Sequence, residues 1–328
     1  MFLAPIYVHA DSGTEGASFL NIPVGAEPAA LGGAYSALAT DAYAPALNPG
    51  GLGRVDGFQL AAQHLAYLQS INYEYASFVC PFQGKRAFGA SVQYLGTGDL
   101  QATDNFGNTD GSFTSRYGAY AFSYGQTVTS KLSLGVTGKI VEAKIDNVSA
   151  HALAADIGSH YQATDKLTLA GVLTNAGGKM KFIEQADPLP LAFHAGGAYR
   201  ASPVLTFSIE GVYRQNGLAS LQAGIEWRPV SQFAFRAGYR TDTIKDNSSL
   251  AGISLGAGFN IFGQTLSYAW VPMGDLGNTQ YVSILIRLGG HSKNQVTPSQ
   301  PQQQIASKPV PQIAPKSARM NSKMHLRD

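Results

Sequence analysis

From Gly57 to Gly289 apolar side chains recur at every second position in block after block, and no other feature constrains this chain as strongly. A period of two is the repeat of a β-strand with one apolar and one polar face. Between Val204 and Arg214, Leu205, Phe207, Ile209 and Tyr213 share one face, while Thr206, Ser208, Glu210 and Arg214 share the other. The next block sets Leu221, Ala223, Ile225 and Trp227 against Ser220, Gln222, Gly224, Glu226 and Arg228. The one after sets Phe233, Phe235, Ala237 and Tyr239 against Ala234, Arg236, Gly238 and Arg240. Fourteen such blocks are predicted, at 58–67, 71–81, 87–97, 115–126, 131–145, 150–162, 166–175, 190–200, 204–215, 218–228, 232–241, 249–261, 265–272 and 279–288. Each is close to the roughly 9–11 residues with which a tilted strand crosses a bilayer.

The connections carry a second signal. Those after even-numbered strands are all short, such as Gln83-Gly84-Lys85 and Ala201-Ser202-Pro203, whereas those after odd strands include the long stretches 98–114 and 176–189. An even strand count with short turns at one end and long loops at the other is the pattern of bacterial outer-membrane barrels. It places the short turns and both termini in the periplasm. Charged residues make up only 13% of the chain, about half the share in soluble proteins. The polar face carries Ser, Thr, Gln, Gly and Ala rather than the Lys and Glu of a sheet that faces water. Trp227, Tyr239, Tyr268 and Trp270 fall where an aromatic girdle would lie. No run approaches the ~20 apolar residues of a membrane helix. The expected fold is therefore all-β, a 14-stranded antiparallel transmembrane barrel in contact with outer-membrane lipid.

The flanks differ from the barrel. Phe2–Val8 with Val8-His9-Ala10 reads as part of a signal peptide, spanning 1–10. Residues 11–56 lack alternation. Glu27-Pro28-Ala29-Ala30-Leu31 reads as a helix start with proline in its first turn, and Asn48-Pro49-Gly50-Gly51 as a turn. So small-residued a segment is expected to fold as a plug inside the lumen, with Asp41, Asn48 and Pro49 within the barrel. Residues 290–328 hold six Gln and five Pro, with six basic side chains against one acidic. That composition predicts a disordered basic tail, either attached electrostatically to an acidic periplasmic partner or a tether with no partner.

No catalytic constellation emerges, and no enzyme activity, cofactor, metal or nucleic-acid partner is expected. His151 and His160 are nine residues apart in one strand and so on opposite faces. Asp156 shares a face with His160, but ~13 Å away along the strand. Cys80, the only cysteine, reads as a buried inert thiol. Glu210, Arg214, Glu226, Arg228, Arg236 and Arg240 lie on the inward faces of three consecutive strands. They are expected either to anchor the plug by ion pairs or to form a binding or gating site.

The segment from Ala29-Ala30-Leu31-Gly32-Gly33 to Asp41-Ala42, followed by Asn48-Pro49-Gly50-Gly51-Leu52, resembles the plug signature of the PorV/PorQ family, itself similar to FadL-like transport barrels. Tyr268-Ala269-Trp270-Val271-Pro272 through Thr279 resembles that family's last hairpin, and the resemblance spans roughly 17–289. The aromatic pair usual before the Asn-Pro turn is here Ala46-Leu47. The resemblance implies a role in the type IX secretion system, handling secreted cargo or machinery proteins at the outer membrane. The alternatives are a FadL-like channel for hydrophobic small molecules and a structural barrel whose tail tethers a periplasmic partner.

Overall fold

A computed structural model of the chain describes residues 15–68, 71–83, 85–217, 219–243, 251–273 and 277–288. The signal segment 1–10 and the tail 290–328 lie outside the described residues. Strands β1 (Phe58–Ala66), β2 (Asn72–Phe82) and β3 (Arg86–Gly96) open an antiparallel meander. After the hairpin β4 (Leu100–Thr103) and β5 (Thr109–Phe113) it continues through β6 (Ser115–Thr127), β7 (Leu132–Ile145), β8 (Val148–Gln162) and β9 (Leu167–Gly177). A second hairpin, β10 (Lys179–Phe182) and β11 (Gln185–Pro188), precedes β12 (Ala192–Ser202), β13 (Leu205–Arg214), β14 (Ala219–Val230) and β15 (Phe233–Arg240). The last strands are β16 (Ile253–Ile261), β17 (Gln264–Pro272) and β18 (Asn278–Leu288). Setting the two hairpins aside, each strand pairs with the next, and β18 pairs with β1 from Phe58↔Leu288 to Ala66↔Gln280, closing a fourteen-stranded barrel. Closure leaves no edge and pairs the backbone internally, as hydrocarbon surroundings require.

The strand positions match the periodicity to within a few residues. The hairpins inside 98–114 and 176–189 were not expected. Their four- and five-residue strands are too short and polar to show alternation. The outward face is apolar, with Phe122, Val136, Ile140, Leu153, Ile225 and Leu255 all exposed, together with Trp227, Tyr239 and Tyr268. Strands β7 and β8 run longest, and the outward positions of their overhang change to Glu142, Lys144 and His151, where an apolar belt would end. Cys80 is a correction. It is exposed on the outward face, opposite Phe88, because Ser77 and Val79 take the inward parity of β2.

Residues 15–56 lie inside the barrel. Helices α1 (Ala26–Ala30) and α2 (Ala44–Leu47) are separated by tight turns, and a 3-10 stretch covers Pro49–Arg54. Asn48 is the residue before that stretch, so the sequence turn at Asn48-Pro49 in fact opens a short helix. Wall side chains hold the plug backbone directly. The Ser283 hydroxyl accepts from the Ala26 amide at 3.2 Å. Ser254 donates to the Ala30 carbonyl at 3.0 Å, and Thr127 donates to the Gly53 carbonyl at 2.7 Å. An inner face of hydroxyls and amides is therefore complementary to main chain rather than to water. Several wall glycines have a related cause. A Cβ at Gly158 would meet Asn48 Oδ1 and the Gly50 amide, and one at Gly224 would stand 2.8 Å from Leu31 Cβ. At these positions glycine admits the plug.

Candidate functional site

The plug meets the wall differently at its two ends. Near the short turns it is seated closely. Asn48 is fully buried, and its amide nitrogen donates to the Ser36 carbonyl at 2.8 Å and to the Ser159 carbonyl of β8 at 3.0 Å. Its Oδ1 accepts from the Gly50 amide at 2.9 Å, the side-chain cap of the 3-10 stretch. Pro49 beside it is buried. Asp41 is also buried, accepting from the Tyr35 hydroxyl at 2.8 Å and the Tyr43 amide at 2.9 Å. Burial, with the nearby Glu27 charge, raises its carboxyl from 3.8 to about 6.

Toward the long loops the fit loosens into a cavity of about 90 Å³. Its plug side is mostly apolar, formed by Leu20, Ile22, Pro23, Val24, Ala46 and Leu47, with Asn21 and Ser36 among them. Its wall side is polar, formed by Lys139, Asn175, His194, Glu210, Arg214 and Arg240. The charges here are held by partners. Lys139 Nζ lies 2.7 Å from Asp156, both side chains almost wholly buried. His194 Nδ1 lies 2.8 Å from Glu210, whose other oxygen accepts from the Ser36 amide at 2.9 Å. Arg240 Nε and Arg214 lie 2.6 and 3.3 Å from Asp242. Burial would raise the Asp242 carboxyl, but the Arg240 hydrogen bonds and charge, with Arg214 beside them, hold it below the usual range.

The cavity's edge at β9 is shaped by a bulge. Opposite Asp156, β9 spends two residues, Thr174 and Asn175, between the pairs Ala155↔Ala176 and Ile157↔Leu173. Asn175 takes φ 59°, a left-handed conformation asparagine tolerates better than most. Its amide donates to Asp156 at 2.7 Å, its side chain accepts from Lys139 at 2.7 Å and donates to the Pro190 carbonyl at 3.0 Å.

The six inward charges expected as one cluster form two. Glu210, Arg214 and Arg240 line the cavity. Glu226, Arg228 and Arg236 group near the short turns, where Glu226 binds Arg228 at 2.7 Å and Arg236 at 2.8 Å. Arg236 and Arg240 share a face but are four residues apart, ~13 Å along a strand. The short-turn group reaches the plug, since Glu27 of α1 lies 2.9 Å from Arg236 and 3.6 Å from Arg228. Sequence reasoning missed Lys139 and His194 as cavity groups, and Asp242 as the partner of Arg214 and Arg240. The two-residue turn Asp146-Asn147 fixes the β7–β8 register at Lys139↔Ala154 and Thr137↔Asp156, which sets Lys139 diagonal to Asp156. That turn was the available signal for the pair. His160 and Asp156 face inward and His151 outward; the partner of Asp156 is Lys139. Among the described residues no group of three or more metal-ligating side chains is present.

The chain matches no protein-family profile, and its sequence matches no curated protein. Its fold has several solved counterparts. It is similar to the toluene transporter TbuX of Ralstonia pickettii, at 15% identity and TM-score 0.60, over 82% of this chain and 98% of that one. The Pseudomonas putida toluene transporter TodX aligns at 13% identity and TM-score 0.59, over 82% and 99%. A FadL homologue of Pseudomonas aeruginosa aligns at 12% identity and TM-score 0.56, over 80% and 98%. At such identities the likeness establishes a shared fold, the fourteen-stranded barrel of outer-membrane proteins.

Proposed function

We propose that this chain is an outer-membrane channel of the FadL-like kind, admitting hydrophobic small molecules that occupy the cavity between plug and wall on their way through. Its long loops then face the exterior, and its short turns and both termini face the periplasm. The observation that supports this most is the cavity itself, a concave site with a mostly apolar floor and a few fixed polar groups opposite. The solved barrels of like fold that carry the name toluene transporter support the same class of cargo. At about 90 Å³ the space accommodates no more than a small ring, so larger cargo requires movement of residues 20–24 or 46–47.

The test is uptake of labelled toluene by Gram-negative cells lacking their own hydrophobic channels. Expression of the chain should raise uptake several-fold, and Ala46→Trp, which fills the cavity, should return it to background. Background uptake from a native chain that is heat-modifiable and sits in the outer membrane would overturn the reading. A second reading, cargo handling in type IX secretion, is supported by the plug motif at 29–52 and the hairpin motif at 268–279. It expects secretion components to co-purify from outer-membrane extracts. A tethering role would rest on residues 290–328, outside the described residues.

A further inference from the structure

A second cleft, of about 20 Å³, opens near the short turns, against the plug-anchoring ion pairs, and is lined by Glu27, Arg228, Arg236, Asn260, Thr265 and Arg287 among others. Arg236 dominates it. Its side chain is 1% exposed, its Nε lies 2.8 Å from Glu226 and its Nη2 lies 2.9 Å from Glu27. Its third nitrogen, Nη1, is buried with no hydrogen-bond partner among the described residues. Gly258 packs close against that nitrogen, and a Cβ there would stand only 2.7 Å from it. Arg287 lines the same cleft. Its Nη1 donates to the Gly263 carbonyl at 3.1 Å and the Thr265 hydroxyl at 2.9 Å, both uncharged, and it pairs with no acidic group among the described residues. Three guanidinium groups thus line the cleft with one carboxylate, Glu27, while Glu226 pairs with Arg228 and Arg236 beside it. A buried guanidinium nitrogen without an acceptor is costly, and a carboxylate or phosphate oxyanion is the partner that best matches its geometry.

We propose that this cleft binds a small oxyanion, the carboxylate or phosphate group of a molecule entering from the short-turn end, on Arg236 Nη1 and Arg287. The space suits one or two ligand oxygens, with the rest of the molecule outside in the open mouth. The site is distinct from the cavity near the long loops and does not depend on what passes through the barrel.

The full chain in zwitterionic micelles would be titrated with inorganic phosphate, acetate and a short-chain phosphatidic acid at constant ionic strength set by chloride. Binding would be read by calorimetry and by phosphorus NMR line widths. Saturable binding of at least one probe is expected. It should weaken about tenfold or more in Arg287→Gln, which removes a charged hydrogen-bond donor. It should weaken comparably in Gly258→Ala, which keeps every charge and fills the space beside Nη1. Lys131→Gln with Arg200→Gln, at exposed positions of the same rim, should change it little. Heat-modifiable migration identifies which variants are folded, and either cleft variant suffices. Binding of free phosphate or acetate would identify a soluble anion, and binding of the phosphatidic acid alone a lipid headgroup; both support the site. Binding that survives in the folded cleft variants would overturn it, as would no saturable binding of any probe, which leaves water as the partner of Nη1.

Discussion

The two halves of the lumen solve opposite problems with the same plug. Near the short turns the plug lies directly against the wall, with Gly158 leaving no side chain in the way of Asn48 and the Gly50 amide, and Asn48 bonded to both plug and wall. Near the long loops the same plug stands off from the wall, and the gap is bordered by ion pairs, with the Ser36 amide bonded to one of them through Glu210. Sealing requires close fit and little chemistry. Holding a guest requires space, and space among polar groups requires that each charge be fixed so that it does not collapse onto its neighbour. On the proposed function, the seat is the part that closes the barrel and the cavity the part that receives the guest.

The largest effect is expected in the cavity half. Lys139→Met strands the buried Asp156 carboxylate and removes a donor from Asn175. Breaking a buried pair from one side costs about 3–5 kcal/mol. Unfolding in denaturant should shift accordingly, and Lys139→Met combined with Asp156→Leu should recover much of the loss. A single variant as stable as the parent would show that the pair does not hold the bulge.

A smaller effect is expected at the seat. Gly158→Ala places a methyl against Asn48 Oδ1, a side chain held by three hydrogen bonds, and against the Gly50 amide, which moves only with the plug backbone. Overpacking of this kind costs about 1–3 kcal/mol. The cost should fall on plug docking and not on the barrel. A cysteine at Ala46, in a Cys80→Ser background, should become more reactive to bulky thiol reagents while heat-modifiable migration is retained. If labelling stays slow, the seat tolerates a methyl and the two halves differ less in closeness of fit.

The barrel was legible in the sequence and the site only partly so, for a physical reason. Period two is a local property, so Leu221, Ile225 and Trp227 announce their face without reference to any other strand. The outward parity of Cys80 was equally local, but an isolated thiol was assigned by residue type rather than by its neighbours Ser77 and Val79. Pairing is not local. Glu226 and Arg228 lie two residues apart and their association is evident, but the reach of Glu27 to Arg236 crosses most of the chain. The wall glycines illustrate the same limit. In sequence nothing marks what they face, and only the placement of Asn48, Gly50 and Leu31 reveals what approaches them.

Asp41 lies inside the plug itself and tests how firmly the plug is held. Its carboxyl is buried, with Glu27 nearby, and titrates at about 6 against 3.8 for an ordinary aspartate. The docked plug therefore binds this proton more tightly than the released one. The resulting stabilisation is fully present below about pH 3.8 and is lost as pH rises through about 6. A tenfold difference in proton affinity is worth about 1.4 kcal/mol, and with charges in the lumen partly screened the net change should be about 1–2 kcal/mol. Urea-driven release of the plug, followed by labelling of the cysteine at Ala46, should become easier between pH 4 and pH 6. Asp41→Asn keeps an acceptor for the Tyr43 amide and removes the titration, so its release should vary little over that window. If the variant keeps the parental slope, the proton is taken up elsewhere. If release in the parent becomes harder as pH rises, the Tyr35 and Tyr43 hydrogen bonds outweigh burial and Asp41 holds the plug as an anion.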